Sequence, residues 1–200
     1  LLEVEPTEAR LVALDGFRLA IQKAVMPFEL PGGKENVRVV IPGRVLNEMS
    51  KVLGDTDEYC TLVFDQSRMT ASFGTTTLST VLLTGEYIDY RKILPASFRT
   101  TALADRVGVQ NAIDRASLMA REGKNNLIRM SFSGDTLAIS SNAELGDVLE
   151  ELETELTGDP IEIAFNAKYI TDVIRNITDE KLCMRFNSNV SPCVIAPQEG

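Results

Sequence analysis

The sequence has 200 residues, of which 44% are hydrophobic, so it is long enough for one or two domains with sizeable cores. Its net charge of −9 excludes binding to nucleic acid or anionic membrane through bulk charge alone, and no stretch approaches the ~18 apolar residues of a membrane span. Because there is no histidine and the three cysteines form no CxxC pair, zinc sites and histidine-based catalysis are disfavoured, and no metal or cofactor is expected. The small, odd number of cysteines favours a reducing cytoplasm.

The first half of the chain predicts a β-rich unit with one helix. Alternating apolar runs predict strands at 1–5, 10–14 and 17–23, and Asp15-Gly16 is a turn signal between the last two. Residues 37–53 predict a strand that runs directly into a helix, with Pro42 in its first turn and Gly54 as its stop. Further strands are predicted at 59–64, 68–73 and 75–83.

The second half starts again after residues 85–95, a segment without clean periodicity that is predicted to cross from one domain to the next. The predicted domains are therefore 1–90 and 91–200. A strand at 98–103, a helix at 105–121, a hairpin of 126–132 and 136–141, and an acidic strand at 147–156 are predicted next. A strand at 161–165, a helix at 167–177 with Asn166 as its N-cap, and strands at 181–186 and 192–196 complete the pattern.

Two strand–helix stretches repeat along the chain. Residues 37–53 and 161–177 share one pattern at a separation of about 124 positions, and residues 1–15 and 127–141 share another at about 126. The first copy lacks the opening strand and helix that 98–121 supply in the second copy, and the second copy ends before 68–83 is matched. We therefore expect the chain to be a piece of something longer. The apolar positions predicted to be buried in the two repeated helices are Leu46, Met49, Leu53, Ile170, Val173, Ile174 and Ile177.

The polar faces of the three predicted helices carry widely spaced cations. Helical spacing groups Arg44 and Lys51 with Asn47, and it groups Lys168 and Arg175 with Thr171. The polar side of the 105–121 helix holds Asn111, Asp114, Arg115, Leu118 and Arg121, opposite Val109, Ala112, Ile113, Ala116 and Ala120. Ordinary solvated helix faces are one explanation. A set of helices that presents sparse cations, diluted by Glu48, Asp114 and Asp172, to a phosphate backbone is the other, and it suits loose, sequence-independent contact.

Other candidate residues leave alternatives open. Leu118, an apolar residue on a polar face beside the loop 121–126, is either an ordinary exposed leucine or a docking point for a partner edge. The acidic strand is either a solvated edge that discourages aggregation or one side of a charge-complementary interface. Its glutamates are Glu150, Glu151, Glu153 and Glu155.

Asp15 and Asp89 are the candidate carboxylates of a hydrolase. Both lie near predicted turns, where aspartate is commonly structural. Nothing in the sequence places a second carboxylate within the ~5–9 Å that glycosidase chemistry requires. The chain has no nucleophile motif, and Gly32-Gly33-Lys34 lacks the Ser/Thr of a P-loop. We therefore predict a non-enzymatic protein, with a carboxylate-dependent hydrolase or a generic adaptor domain as the alternatives.

Three stretches resemble signature segments of the bacterial sliding clamp, the beta subunit of DNA polymerase III. They are ALDGFRLA at 13–20, GEYIDYRKILP at 85–95 and IAFNAKY at 163–169, in the order and spacing of that family. The resemblance implies most of the second domain and nearly all of the third domain of a three-domain protomer. The implied fold is α+β, with two similar clamp-type domains that each carry antiparallel sheets outside and two helices on the inner face, the first domain being incomplete.

The resemblance also implies a function. Family members form a head-to-tail homodimer, a ring around duplex DNA that tethers replicative and repair polymerases and the clamp loader. The implied DNA-facing residues are Arg44, Lys51, Arg115, Arg121, Lys168 and Arg175. The implied dimer interface contains Leu118 and Met119 together with Glu150, Glu151 and Glu153.

A peptide-binding groove is expected where the two domains meet, because ligand sites favour domain junctions. Simple packing between the domains is the alternative explanation for the same residues. Leu14, Phe17 and Ile88 stand where the family usually has Thr, His and Pro, so the groove would be more apolar than is usual. The expected groove residues are Leu14, Gly16, Phe17, Arg18, Leu19, Ile88, Lys92, Ile93, Asn166, Tyr169, Val190 and Pro192.

Overall fold

The computed structural model describes residues 1–30, 32, 34–54, 59–122, 126–144 and 146–198. The chain divides into two compact units, Leu1–Tyr90 and Arg91–Gly200, which are described separately. Antiparallel sheets with helices packed on them make up both units, so the predicted α+β fold class is confirmed. None of the described helices is long and apolar enough to span a membrane.

The first unit contains a four-stranded antiparallel sheet, a helix and a three-stranded sheet. The strands are β1 (Leu2–Glu5), β2 (Glu8–Leu14), β3 (Leu19–Val25), β4 (Val37–Val39), β5 (Thr61–Phe64), β6 (Arg68–Phe73) and β7 (Thr76–Val81), and the helix is α1 (Gly43–Leu53). The larger sheet has the order β3-β2-β1-β4 and the smaller one the order β5-β6-β7. The hairpin around Asp15 is confirmed, because Ala13 pairs with Ala20 and Leu14 with Leu19.

Two apolar clusters hold the first unit together. The larger one gathers Leu2, Ile41, Met49 and Met69 under α1, and the predicted apolar residues Leu46 and Leu53 pack against it. The smaller cluster is built from Leu1, Val12 and Tyr90, with Leu19, Ile21, Val40 and Tyr87 packed around them. The helix begins at Gly43, so Pro42 is the N-cap and not a first-turn residue as predicted.

The second unit is a single seven-stranded antiparallel sheet with two helices on one face. Its strands are β8 (Thr100–Asp105), β9 (Leu127–Ser133), β10 (Thr136–Ala143), β11 (Gly146–Gly158), β12 (Ile161–Asn166), β13 (Lys181–Phe186) and β14 (Val194–Pro197). The strand order is β12-β9-β10-β11-β8-β13-β14, in which β8 pairs with both β11 and β13. The helices are α2 (Arg106–Glu122) and α3 (Ala167–Ile174).

The core of the second unit matches the helical periodicity in the sequence. Val109, Ala112, Ile113, Ala116 and Ala120 are all buried on the sheet side of α2, as predicted. Ile170, Ile174 and Ile177 are buried, and Val173 packs against the same core. The helix itself ends at Ile174, three residues before the predicted end, and Ile177 follows it in the non-helical connection.

The internal repeat is visible in the strand order of the two units. In the first unit β4-β1-β2-β3 follow one another as β12-β9-β10-β11 do in the second. The described residues of the first unit hold no counterpart of β8 and α2. Leu11 on β2 is consequently 41% exposed, whereas Leu137, at the matching position of β10, is fully buried beneath α2.

Candidate nucleic-acid interface

A cavity of about 270 Å³ lies between α2 and α3 on the helix-covered side of the second unit. It brings together three of the cations predicted on the polar helix faces, Arg121, Lys168 and Arg175. The first and the last of them are 54 positions apart in the chain. Its lining residues are Asp114, Ser117, Arg121, Asn126, Ala167, Lys168, Thr171, Asp172 and Arg175.

Local sequence explains how each helix aims these side chains. On α2, Asp114, Ser117 and Arg121 have spacings of three and seven residues, which place them on one helix face. On α3, the Asn166 side chain accepts a hydrogen bond from the Lys168 backbone N–H at 3.0 Å, so the predicted N-cap is confirmed. The cap fixes where α3 begins and therefore where Lys168 points.

Thr171 corrects one prediction. The sequence assigns it to the solvated face of α3 beside Lys168 and Arg175, but it is buried. Helix α2 packs alongside α3 and covers this position, so Thr171 lies at the bottom of the cavity. Ser117, directly on the facing helix, is buried in the same way and was not singled out by its sequence context. Its three-residue spacing from Asp114 was the available signal.

Charges of both signs line the cavity. Arg121, Lys168 and Arg175 are exposed, and the carboxylates of Asp114 and Asp172 lie among them. The Asp114 Oδ1 and Arg175 Nη2 atoms are 3.8 Å apart, a long contact between two substantially exposed side chains. The Oδ1 atom of Asn126 is buried and has no hydrogen-bond partner within the described part of the chain. The cavity is therefore polar, accessible and weakly cationic.

Arg115, the remaining predicted cation of α2, points to the sheet and not to the cavity. Its Nε and Nη2 atoms donate to the two carboxylate oxygens of Glu150 on β11, at 2.7 and 2.8 Å. This bidentate contact lowers the pKa of the Glu150 carboxyl below its ordinary value and raises that of the guanidinium. Arg115 is thus already neutralised by a residue that the sequence assigned to a different surface.

Helix α1 in the first unit repeats the mixed pattern on a smaller scale. Arg44 and Lys51 are both exposed, as predicted for its polar face. Lys51 Nζ donates to the Glu48 carboxylate at 3.0 Å, one turn earlier in the helix. An acid therefore accompanies a cation here as well.

The residues predicted for a dimer interface lie along α2 and the first half of β11. Leu118 is 57% exposed, and Met119 beside it is half-buried. Residues 146–153 of β11 pair with β10, while β8 pairs only with residues 154–158, so among the described residues the first half of β11 has one unpaired edge. Glu151 and Glu153 are exposed on the opposite side from Glu150, and Leu149 is an exposed apolar residue on that side which the sequence pattern did not reveal.

Most groove residues of the first unit lie at the β2–β3 turn, and Ile88 lies in the connection after β7. Gly16 has φ +84°, a conformation that favours glycine, and Leu14 and Leu19 form the last pair of the hairpin. Phe17 and Ile88 are largely exposed. Leu19, by contrast, packs on the cluster of Leu1, Val12 and Tyr90.

The groove residues of the second unit lie on three segments. Lys92 and Ile93 are exposed in and after a short 3-10 turn, Tyr90–Lys92. Asn166 and Tyr169 are half-buried at the start of α3. Val190 and Pro192 are exposed in the connection that precedes β14.

The carboxylate of Asp15, the candidate acid of a hydrolase, is fully occupied by the turn. Its Oδ1 atom accepts the backbone N–H groups of Phe17 and Arg18, at 3.0 and 2.9 Å. The Arg18 guanidinium donates to Oδ2 at 2.7 and 2.9 Å and, with the two backbone N–H groups, holds the Asp15 pKa below its ordinary value. A general acid needs the opposite shift, so the geometry supports the turn interpretation.

Family models and solved structures agree on what this arrangement resembles. Residues 91–200 match the model of the DNA polymerase III beta subunit, C-terminal domain, and residues 1–89 match that of its central domain. The chain belongs to the DNA polymerase III beta subunit family. The resemblance to the bacterial sliding clamp is therefore confirmed, and that family is one of non-enzymatic processivity factors of DNA replication.

Individual relatives show how much of a family member the chain represents. It is 32% identical over 197 residues to the beta sliding clamp of Staphylococcus aureus strain Mu50, which covers 98% of this chain and 51% of that protein. The solved sliding clamp of Bacillus subtilis superimposes with a TM-score of 0.92 at 31% identity, covering 100% of this chain and 52% of the other. The beta subunit of Pseudomonas aeruginosa gives 0.92 at 26%, covering 100% and 54%. The chain thus spans about half the length of the beta subunits that it matches.

Proposed function

We propose that this chain is part of a ring-forming sliding clamp that encircles duplex DNA and tethers polymerases and the clamp loader to it. The observation that carries the proposal is the α2–α3 cavity, where Arg121, Lys168 and Arg175 converge although the chain as a whole has a charge of −9. The protein is acidic overall, but cations are concentrated on this polar helix face, and such a distribution suits local contact with a phosphate backbone.

The proposed mechanism is topological. A closed ring cannot leave DNA sideways, so each contact with the backbone can be weak. Few cations, some of them paired with carboxylates, meet that requirement, because each additional phosphate contact releases counterions and strengthens binding. Arg44 and Lys51 on α1 would serve the same purpose in the first unit.

Arg115 has a smaller place in this mechanism than the other cations. It reaches a phosphate only by leaving the two oxygens of Glu150. We therefore propose Arg121, Lys168 and Arg175 as the main DNA contacts of the second unit, with Arg115 holding β11 against α2.

Ring closure is proposed to use the exposed end of α2 and the unpaired edge of β11. An unpaired strand edge presents backbone N–H and C=O groups that a partner strand can complete. Leu118 and Met119 would supply apolar contact beside this edge, and Glu151 and Glu153 would supply charge complementarity. We propose a head-to-tail homodimer of the longer protein that forms through these residues.

Partner binding is proposed for exposed apolar residues of the first unit, at the β2–β3 turn and after β7, and for exposed apolar residues of the second unit before β14. Phe17 and Ile88 in one, and Val190 and Pro192 in the other, are exposed enough to receive the apolar anchors of a polymerase or clamp-loader peptide. Gly16, Arg18, Lys92, Ile93, Asn166 and Tyr169 remain proposed groove residues, and a cytoplasmic location remains proposed as well.

The proposed DNA face is tested by charge reversal. Lys168→Glu combined with Arg175→Glu should weaken binding of a fluorescent duplex by this chain. The slope of log affinity against log salt should fall by about 0.9 for each phosphate that is no longer neutralised. Anisotropy titrations at low ionic strength measure both quantities.

A matched control variant changes the net charge by the same amount at another place in the second unit. Arg129→Glu together with Arg185→Glu reverses two cations on the strands β9 and β13, outside the α2–α3 cavity. If the control weakens binding as much as the cavity variant does, bulk charge and not this face governs binding, and the proposal fails. Tight binding that does not respond to salt would contradict the topological mechanism.

A further inference from the structure

The α2–α3 cavity carries two carboxylates that a surface built only to attract phosphate would not contain. Three cations and two carboxylates share its lining, so the cavity has a formal charge of only +1 (3 − 2 = 1). Asp114 comes from α2 and Asp172 from α3, so both helices contribute an acid to the same face.

Neither the helix-forming preference of aspartate nor the helix dipole explains these two carboxylates. Asp114 lies in the middle of α2, where aspartate is a poor helix former. Asp172 lies in the last turn of α3, where the helix dipole disfavours a negative charge. Both aspartates are locally unfavourable in their own helices, so their role is expected to depend on the side chains that they face.

The spacing places each carboxylate within reach of a cation. Asp172 lies four residues after Lys168 and three before Arg175, the separations at which side chains meet on a helix. Asp114 reaches across to α3, with its Oδ1 atom 3.8 Å from the Arg175 Nη2 atom. A pair this long and this exposed is weak, so the guanidinium can exchange a carboxylate for a phosphate and return.

We propose that Asp114 and Asp172 set the strength of the cavity's grip on the DNA backbone by competing with phosphate for Arg121, Lys168 and Arg175. The inference rests on the proposed function, and it assigns the two acids the opposite role to that of the cations. A phosphate that binds Arg175 displaces the Asp114 carboxylate, so part of the attraction is lost in the exchange. Contacts made in this way release quickly, which is what a sliding ring requires.

Helix α1 supports the same principle independently. Lys51 on its exposed face is paired with Glu48 at 3.0 Å, so a cation proposed to face DNA is again accompanied by an acid. The first unit therefore also places an acid beside a cation, and the two charged groups are closer together than Asp114 and Arg175 are in the second unit.

The test neutralises the acids without changing their shape. In this chain, Asp114→Asn combined with Asp172→Asn should bind a fluorescent duplex about two- to fivefold more tightly at low salt, the range expected for releasing exposed ion pairs. The slope of log affinity against log salt should become steeper by about 0.9 for each additional phosphate that the cavity neutralises. The two single variants should each give part of the effect.

The control variant makes the same change of net charge elsewhere in the unit. Asp135→Asn with Asp159→Asn removes two exposed carboxylates from turns outside the cavity. It should leave the affinity within the error of the titration, since neither aspartate lines the cavity and solvent-exposed charges are screened over about 8–10 Å. Equal increases in affinity in both double variants would overturn the inference.

The outcomes separate the inference from the function on which it rests. If Lys168→Glu with Arg175→Glu weakens binding but the double asparagine variant does not strengthen it, the DNA face stands and the competition is wrong. If the charge reversal has no effect, the proposed DNA face is wrong and the competition falls with it. Thermal unfolding of every variant confirms that the same folded protein is compared.

Discussion

Arg115 on α2 and Glu150 on β11 form a bidentate ion pair, with N–O distances of 2.7 and 2.8 Å. The pair joins the helix that carries Leu118 to the half of β11 whose second edge is unpaired within the described residues. It therefore fixes the relative position of the two elements that we propose as the dimer interface. Because two N–H donors meet two carboxylate oxygens, the pair restricts the relative orientation of the helix and the strand as well as their separation.

This pair should make the stability of the second unit depend on pH. The Glu150 pKa is lowered in the folded state from its ordinary 4.5 by the Arg115 hydrogen bonds. A lowered pKa contributes stability that is present above the ordinary value and is lost as the pH falls through the folded-state value. Glu150→Gln should therefore flatten the loss of stability below pH 4.5, as measured by urea unfolding at a series of pH values. Glu153→Gln, an exposed position on the same strand, should keep the steeper profile of the parent chain; identical profiles for both variants would contradict the assignment.

Removing the N-cap of α3 should destabilise the second unit. Asn166→Ala deletes the acceptor that satisfies the Lys168 backbone N–H and should cost about 1 kcal/mol in the free energy of unfolding. Asn111→Ala makes the same side-chain change at an exposed position inside α2, where alanine is the better helix former, so it should be neutral or slightly stabilising. Denaturant titrations followed by circular dichroism give both values. Equal losses would show that the cap has no special role.

The exposed leucine of α2 should control assembly of the longer protein. In a protein of the relatives' full length, Leu118→Asp with Met119→Lys should shift sedimentation from dimer to monomer, because the substitutions place charges where apolar contact is proposed. Val107→Asp is the control, since Val107 is 50% exposed on the same helix and Leu118 is 57% exposed. A dimer that survives the double substitution, or one that is lost equally in the control, would remove Leu118 from the interface.

Peptide binding should depend on Phe17 and not on every exposed apolar residue nearby. Phe17→Ser should weaken binding of a polymerase-derived peptide at least tenfold, about 1.4 kcal/mol, if the ring is an anchor point. Val25→Ser is the matched control, because Phe17 and Val25 are each 80% exposed and Val25 lies at the far end of β3. Calorimetric titration of both variants is the measurement, and unchanged affinity for Phe17→Ser would place the groove elsewhere.

Leu19 is a less suitable position for the same test. Leu19 is among the groove residues expected from the sequence. Its side chain packs on the small cluster of Leu1, Val12 and Tyr90. A charge at this position would enter a partly buried apolar cluster, so lost binding could not be separated from lost stability.

Local sequence determined much of this protein. The alternation of Ile161, Ile163 and Phe165, followed by Asn166 and apolar residues at helical spacing, is enough to specify both a strand and a capped helix. The buried face of α2 was predictable for the same reason, since helical periodicity repeats every few residues and needs no knowledge of distant segments. Three motifs in the correct order then indicated the family.

Only the tertiary structure decided which polar residues work together. Thr171 becomes buried because α2 lies against α3, and Arg115 meets Glu150 across 35 positions of the chain. Asp114 reaches Arg175 across a still longer separation, which turns two ordinary helix faces into one mixed-charge cavity. A sequence pattern gives the direction of a side chain relative to its own helix or strand. What that side chain meets depends on how distant elements pack, because hydrogen bonds and ion pairs require contact distances that local periodicity does not specify.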